Sequence, residues 1–212
     1  MKSEEKFDIY DEQMNWQGVA PRSEVHAKGL WHRTFQCWIV SCESADPVLL
    51  LQLRSPDKDL FPNLLDISSA GHLAAGEEVR DGVRELEEEL GLKVDFGDLI
   101  ACGLFTKEDF ISEQLIDREF CHVFVYRCDQ PLDAYKLQPE EVSGIYAVNV
   151  KAFEQLIHGQ TVSIEGEGVQ LMDNGQLVAT RKLISLSELV PHPAAYYELL
   201  FQTLRKHNWI SA

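Results

Sequence analysis

Basic residues are scarce in this chain: 19 lysines and arginines stand against 35 aspartates and glutamates over 212 residues, a formal charge of −16. A surface that holds nucleic acid or an anionic membrane needs a field of Lys and Arg, so neither a nucleic-acid polymer nor a bilayer is an expected partner. Cysteine is sparse too. The five present, Cys37, Cys42, Cys102, Cys121 and Cys128, are odd in number and form no CxxC pair, which argues against a disulfide framework and a zinc ribbon. No apolar run approaches a membrane span, and the opening MKSEEKFDIY lacks the apolar core of a signal peptide. The expected setting is a reducing cytoplasm. Internal repeats and low-complexity tracts are absent as well.

What the chain does have is concentrated between Asp66 and Leu92, in DISSAGHLAAGEEVRDGVRELEEELGL. Val79, Val83, Leu86 and Leu90 recur at three- and four-residue intervals, one narrow apolar stripe of an amphipathic helix. On the same projection Glu85, Glu88 and Glu89 share a sector about 100° wide, while Arg84 and Glu87 point elsewhere. Like charges at these spacings repel, and a hard divalent cation would offset the repulsion. A Glu-rich helix face is commonly no more than a solvated surface. Here, however, Gly91 supplies a left-handed helix stop, and Gly71 and Gly76 let the preceding backbone turn tightly enough to offer a carbonyl to the same ion.

Gly71, Glu77 and the run from Arg84 to Leu92 resemble the Nudix box: Gly, five residues, Glu, seven residues, then Arg-Glu-apolar-any-Glu-Glu-any-Gly-apolar. Every fixed residue is present, but six residues rather than seven separate Glu77 from Arg84. The resemblance implies an α/β fold, a Nudix-type α/β/α sandwich with a mixed β-sheet. It also implies one to three Mg²⁺ or Mn²⁺ ions held by Glu85, Glu88, Glu89, the Gly71 carbonyl and Glu77, with Arg84 orienting a glutamate. Two residues are candidates for the general base, Glu88 in the box and Glu141 in a later loop, with Glu88 preferred.

In chain order, residues 1–30 read as an extension containing a small hairpin, with Phe7–Tyr10 and the segment around Val19 flanking a polar turn. Residues 31–159 read as the Nudix domain. A polar connector carrying His26, Trp31 and His32 leads into core strands at 34–42 and 48–53. After the box, strands at 93–106 and 119–128 are joined by an acidic loop, and a short strand at 144–148 precedes a helix at 151–158. Residues 160–212 read as a C-terminal extension, a hairpin around Asp173-Asn174-Gly175 and a terminal amphipathic helix from Ala194. That helix is open to two readings, a wall of the substrate pocket or the contact of a homodimer.

Residues 7–159 resemble more closely the Nudix branch related to type 1 isopentenyl-diphosphate isomerase. That resemblance implies a second metal held by His26, His32, His72 and Glu119, and a diphosphate gripped by Arg54 and Lys58. Asp117 stands where the isomerase has a glutamate, and Ala70 stands where it needs a cysteine to move a proton. An alanine has no acid-base function. The expected activity is therefore divalent-metal-dependent hydrolysis of a diphosphate linkage in a small molecule, either a nucleoside diphosphate joined to another moiety or a prenyl diphosphate. The alternatives are isomerisation, or a module that binds a nucleotide without cleaving it. Trp31, Phe61, Phe105, Phe110 and Tyr146 are the aromatics available to stack a base or line a prenyl pocket.

Overall fold

The computed structural model describes residues 4–112 and 115–210. Strands β1 (Lys6–Tyr10) and β2 (Trp16–Pro21) pair antiparallel as the predicted N-terminal hairpin. The segment read as a polar connector is a short helix, α1 (Arg22–Lys28), stopped by Gly29 at φ 62° and braced by a Glu24–Lys28 ion pair of 2.6 Å.

The main sheet is built from β3 (His32–Ser41), β4 (Val48–Arg54), β5 (Leu65–Asp66), β6 (Ser69–His72), β7 (Ile100–Ser112), β8 (Leu115–Arg127), β9 (Val142–Asn149), β10 (Ile164–Leu171) and β11 (Leu177–Ile184). Its order is β11-β10-β9-β4-β3-β8-β7, with β5 beside β4 and β6 beside β3. Only the β3–β8 pair is parallel among the described strands, so the sheet is mixed. Side chains alternate across it as the pleat requires. Trp38, Val40, Leu49, Leu51, Tyr146 and Val148 face helices α3 (Val150–Ile157) and α4 (Ala194–Lys206). Cys37, Ile39, Leu50 and Ile145 face Leu86 and Leu90 of α2 (Arg84–Leu90). Helices thus cover both faces, the expected sandwich.

Three further local expectations are revised. The stripe from Val79 to Leu90 is not one α-helix: Val79–Val83 is a 3-10 turn capped reciprocally by Glu78 and Asp81, and the α-helix starts at Arg84. Most of the expected acidic loop at 107–118 is strand, since β7 runs to Ser112 and β8 begins at Leu115; residues 113 and 114 lie outside the described residues. Lys107 stands opposite Glu119 and Glu108 opposite Arg118, which balances the acidic charge across the ladder. Residues 93–99 are correspondingly not strand, and Phe96–Asp98 forms a 3-10 turn. The Asp173-Asn174-Gly175 hairpin forms as predicted and extends the same sheet through β9–β10 pairing.

Candidate metal and diphosphate site

A cleft of about 810 Å³ opens at the end of β3, β6 and β8, and its wall carries the box glutamates and the predicted cations. Glu85 and Glu89 project from α2 and are buried, Glu89 with 4 % of its surface exposed. Burial pushes the Glu85 carboxyl up to about 7, against the pull of Arg84. It pushes Glu89 up to about 8, and the neighbouring Glu85 adds to the effect. Gly71 faces this pair. Its φ is not in the left-handed region; it is required because a Cβ there would overlap the Glu85 carboxyl group. Gly76 and Gly91 do sit at φ 85° and 69°, as their turn and helix-stop roles require. Glu88 does not share the buried position of its neighbours, and its side chain is 58 % exposed at the cleft mouth.

Arg84, which the projection sends away from the glutamates, folds back across them. Its Nε and Nη2 donate to the two carboxyl oxygens of Glu77 at 2.8 and 3.0 Å, a bidentate fork. Nη1 reaches Glu85 at 2.6 Å and Glu88 at 3.2 Å, and Nη2 also meets the His72 carbonyl at 3.0 Å. Glu77 also accepts from the Ala74 amide at 2.7 Å, so both its oxygens are taken by protein donors. Its place is behind Arg84, and it is not a lining residue of the cleft.

On the other side of β6 the predicted histidines come together. Ligand atoms of His26, His32 and His72 lie within 4.8 Å of one another, and so do those of His32, Asp117 and Glu119. Strand register brings three of them together, since His32 pairs with Glu119 and Thr34 with His72, and α1 supplies His26. The spacings are too long for hydrogen bonds, 3.7 Å from Asp117 to both His26 and His32 and 3.9 Å from His72 to Glu119. His32 donates through Nδ1 to the Leu30 carbonyl at 3.0 Å, which leaves Nε2 as the lone-pair nitrogen. That Nε2 and Asp117 Oδ1 are buried with no hydrogen-bond partner. Desolvation lowers the His32 imidazole to about 4 and raises the Glu119 carboxyl, Asp117 adding to the latter. Phe7, fully buried, stacks on His72 at 4.6 Å and on His32 at 5.3 Å.

The diphosphate cations also line the cleft. Lys58 is paired with Glu141, and Arg54 with Asp66 at 2.9 Å. Of the aromatics, Phe61 alone is a lining residue; Tyr146 is core, Phe105 packs on Tyr196, and Trp31 stacks on Phe120.

Residues 30–192 match the NUDIX domain family. An uncharacterized Nudix hydrolase of Clostridium acetobutylicum is 38 % identical over 95 % of this chain and 97 % of its own. The chain belongs to the Nudix hydrolase family. An isopentenyl-diphosphate Delta-isomerase 2 of Photorhabdus laumondii is 30 % identical over 71 % of this chain and 80 % of its own, a more distant likeness. The crystal structure of DR0079 from Deinococcus radiodurans shares the Nudix fold at TM-score 0.57, with 23 % identity over 73 % of this chain and 90 % of that one. As a Nudix hydrolase the chain is an enzyme of the class that opens pyrophosphate bonds. Its box is one residue short, and the Glu77–Arg84 fork is made nonetheless.

Several lining residues carried no sequence signal. Lys107 lay in what read as a loop, and it is buried against Asp109 at 2.8 Å with Glu119 opposite. Arg22 sits 3.4 Å from His72 Nδ1. His192, between two prolines, reaches Asp66 at 3.0 Å.

Proposed function

We propose that this Nudix enzyme is a divalent-metal-dependent diphosphohydrolase of small molecules. The observation that carries the reading is the pair Glu85 and Glu89: two carboxylates are buried side by side under a glycine at the floor of a cleft whose wall supplies Arg54 and Lys58. Two buried carboxylates that share the single positive charge of Arg84 at Glu85 and one backbone amide at Glu89 fit a cation, and Gly71 is the cradle that a Cβ would fill. Glu85, Glu89, Glu88 and the Gly71 carbonyl would hold Mg²⁺ or Mn²⁺, one to three ions, with Glu77 left to orient Arg84. When bound, such a cation polarises a phosphoryl group and acidifies a water.

The chain's own groups do the rest. Arg54 and Lys58, which line the same cleft as the box glutamates, offer positive charge to phosphate oxygens. Arg84 fixes the side chains of Glu85 and Glu88 through its Nη1. Glu88 is the preferred base: it stands at the cleft mouth, and among the described residues no protein donor reaches its Oε1. Glu141 is tied to Lys58, so it must leave that ion pair to accept a proton. His26, His32, His72, Asp117 and Glu119 fit a second divalent cation, because their lone pairs converge and two of their atoms are orphaned. Zn²⁺ or Mn²⁺ suits that mixed nitrogen and oxygen set.

Isomerisation is not supported. Ala70 sits among the lining residues where a proton-moving thiol would be needed, and an assay for the allylic product is expected to find none. A cytoplasmic setting belongs to the same proposal; among the described residues no helix is long and apolar enough to cross a membrane. The test is phosphate release from a panel of nucleoside diphosphate derivatives and prenyl diphosphates, with and without Mg²⁺. The parent chain is expected to turn over at least one compound only with the metal, and the Glu89→Gln variant none. An undiminished rate in that variant overturns the reading.

A further inference from the structure

The segment between β11 and α4 runs back into the cleft. Leu189 bridges Leu65 in parallel, and the Val190 amide donates to the Leu65 carbonyl at 2.8 Å, so the segment lies along β5 like an added strand. This places Val190 and His192 in the cleft wall. The His192 ring is clamped, stacked on Tyr196 at 4.7 Å, and the Tyr196 hydroxyl donates to Gln36 at 2.7 Å. From that clamp Nε2 donates to Asp66 Oδ1 at 3.0 Å, both side chains being more than nine-tenths buried.

Asp66 is shared. Its Oδ1 also accepts from the Ile67 amide at 2.8 Å, and its Oδ2 accepts from Arg54 Nη1 at 2.9 Å. Arg54 in turn donates through Nε and Nη2 to the Leu60 carbonyl at 3.2 and 3.1 Å. Three of its five N–H groups, one each on Nε, Nη1 and Nη2, are therefore used, and two have no protein acceptor among the described residues.

We propose that His192 is a positioning residue for the diphosphate grip: by occupying Asp66 Oδ1 it limits that carboxylate to a single bond with Arg54, and the remaining guanidinium N–H groups stay available to phosphate oxygens. His192 and Arg54 compete for Asp66. A buried carboxylate that loses a side-chain donor draws on the donors left beside it, and here Arg54, already bonded to Oδ2, is the side chain with N–H groups to spare. A bidentate Asp66–Arg54 pair spends the donors that a diphosphate would use. The inference rests on the diphosphohydrolase reading for the nature of the ligand, and on the His192–Asp66–Arg54 chain for everything else.

The test uses inorganic pyrophosphate with Mg²⁺ as probe, titrated calorimetrically into the parent chain and two polar variants. His192→Gln carries its amide nitrogen out to the place of Nε2 and keeps a donor for Asp66, whereas His192→Asn stops short of it. The expected result is a pyrophosphate affinity about tenfold weaker in His192→Asn and within about threefold of the parent in His192→Gln, as loss of one charge-assisted hydrogen bond implies. Melting temperatures of both variants are read in parallel. Equal affinity in all three proteins overturns the proposal, as does an equal loss in both variants, which marks a merely structural role. A parent that binds no pyrophosphate overturns it too. A parent that binds the probe yet hydrolyses nothing in the panel refutes the hydrolase reading and leaves the His192 result standing.

Discussion

Phe7, from the N-terminal hairpin, lies flat against His72, ring centroids 4.6 Å apart and planes 14° from parallel, with His32 stacked on it at 5.3 Å. The hairpin is therefore part of the histidine centre. Replacing Phe7 by Leu keeps the apolar volume but removes the flat surface that sets both imidazole planes. Metal affinity at the histidine set is expected to fall by about tenfold or more, the usual consequence of loosening the groups that orient ligands. Titration with Mn²⁺ or Zn²⁺ measures it; unchanged affinity would mean that strand register alone orients the rings.

Gly71→Ala puts a methyl group where the Glu85 carboxyl lies. Either Glu85 turns out of the cleft or β6 shifts, and both spoil the carboxylate pair. Metal-dependent turnover is expected to drop by about a hundredfold, on the scale of a misplaced catalytic group. Circular dichroism separates this from unfolding. Gly76→Ala, whose Cβ meets open space but whose φ is 85°, should instead cost about 1 kcal/mol of stability and little activity.

The raised Glu85 and Glu89 carboxyls make stability depend on pH and metal together. Both bind a proton more tightly folded than unfolded, so in metal-free protein their effect is absent below about 4.5 and destabilising above about 7 to 8. The depressed His32 acts in the opposite window, destabilising as pH falls from 6.5 towards about 4. Between pH 6.5 and 8 the carboxylates govern. The melting temperature without metal is expected to decline across that interval, and added Mg²⁺ to raise it more at pH 8 than at pH 6.5. A metal-induced shift independent of pH would contradict this. Glu89→Gln, a neutral isostere, is expected to abolish the decline attributable to that residue.

Arg84→Lys keeps one positive charge and loses the fork. A lysine cannot hold both oxygens of Glu77 while also reaching Glu85 and Glu88. The expected outcome is a fall in kcat of about one to two orders of magnitude with a smaller change in KM, since the damage is to positioning rather than to the diphosphate cations. A pure KM effect in steady-state kinetics would instead place Arg84 on the substrate.

Where the chain obeys short-range rules, the fold could be read directly. The Asp173-Asn174-Gly175 turn, the Gly91 helix stop and the short β-former-rich apolar run from Phe35 to Val40 each specify geometry within a few residues. The box was legible for the same reason, since Arg84, Glu85, Glu88 and Glu89 occupy a single helix. Segments balanced by partners far along the chain were not. Residues 107–118 look like a loop until the register shows Lys107 facing Glu119 and Glu108 facing Arg118. His26 looked like a linker residue because its helix has only seven residues and is held by a cap and an ion pair rather than an apolar stripe. His192 was invisible, for nothing near it in sequence announces Asp66 as its partner.

The parallel seam between β3 and β8 sets His32 against Glu119, residues that meet only after most of the chain has been laid down. Contacts of such sequence separation form late, because the entropy of closing the intervening loop is spent before the pairing returns anything. An ion held by both strands would therefore act as a clasp across a late-closing seam, slowing its reopening more than it hastens its assembly.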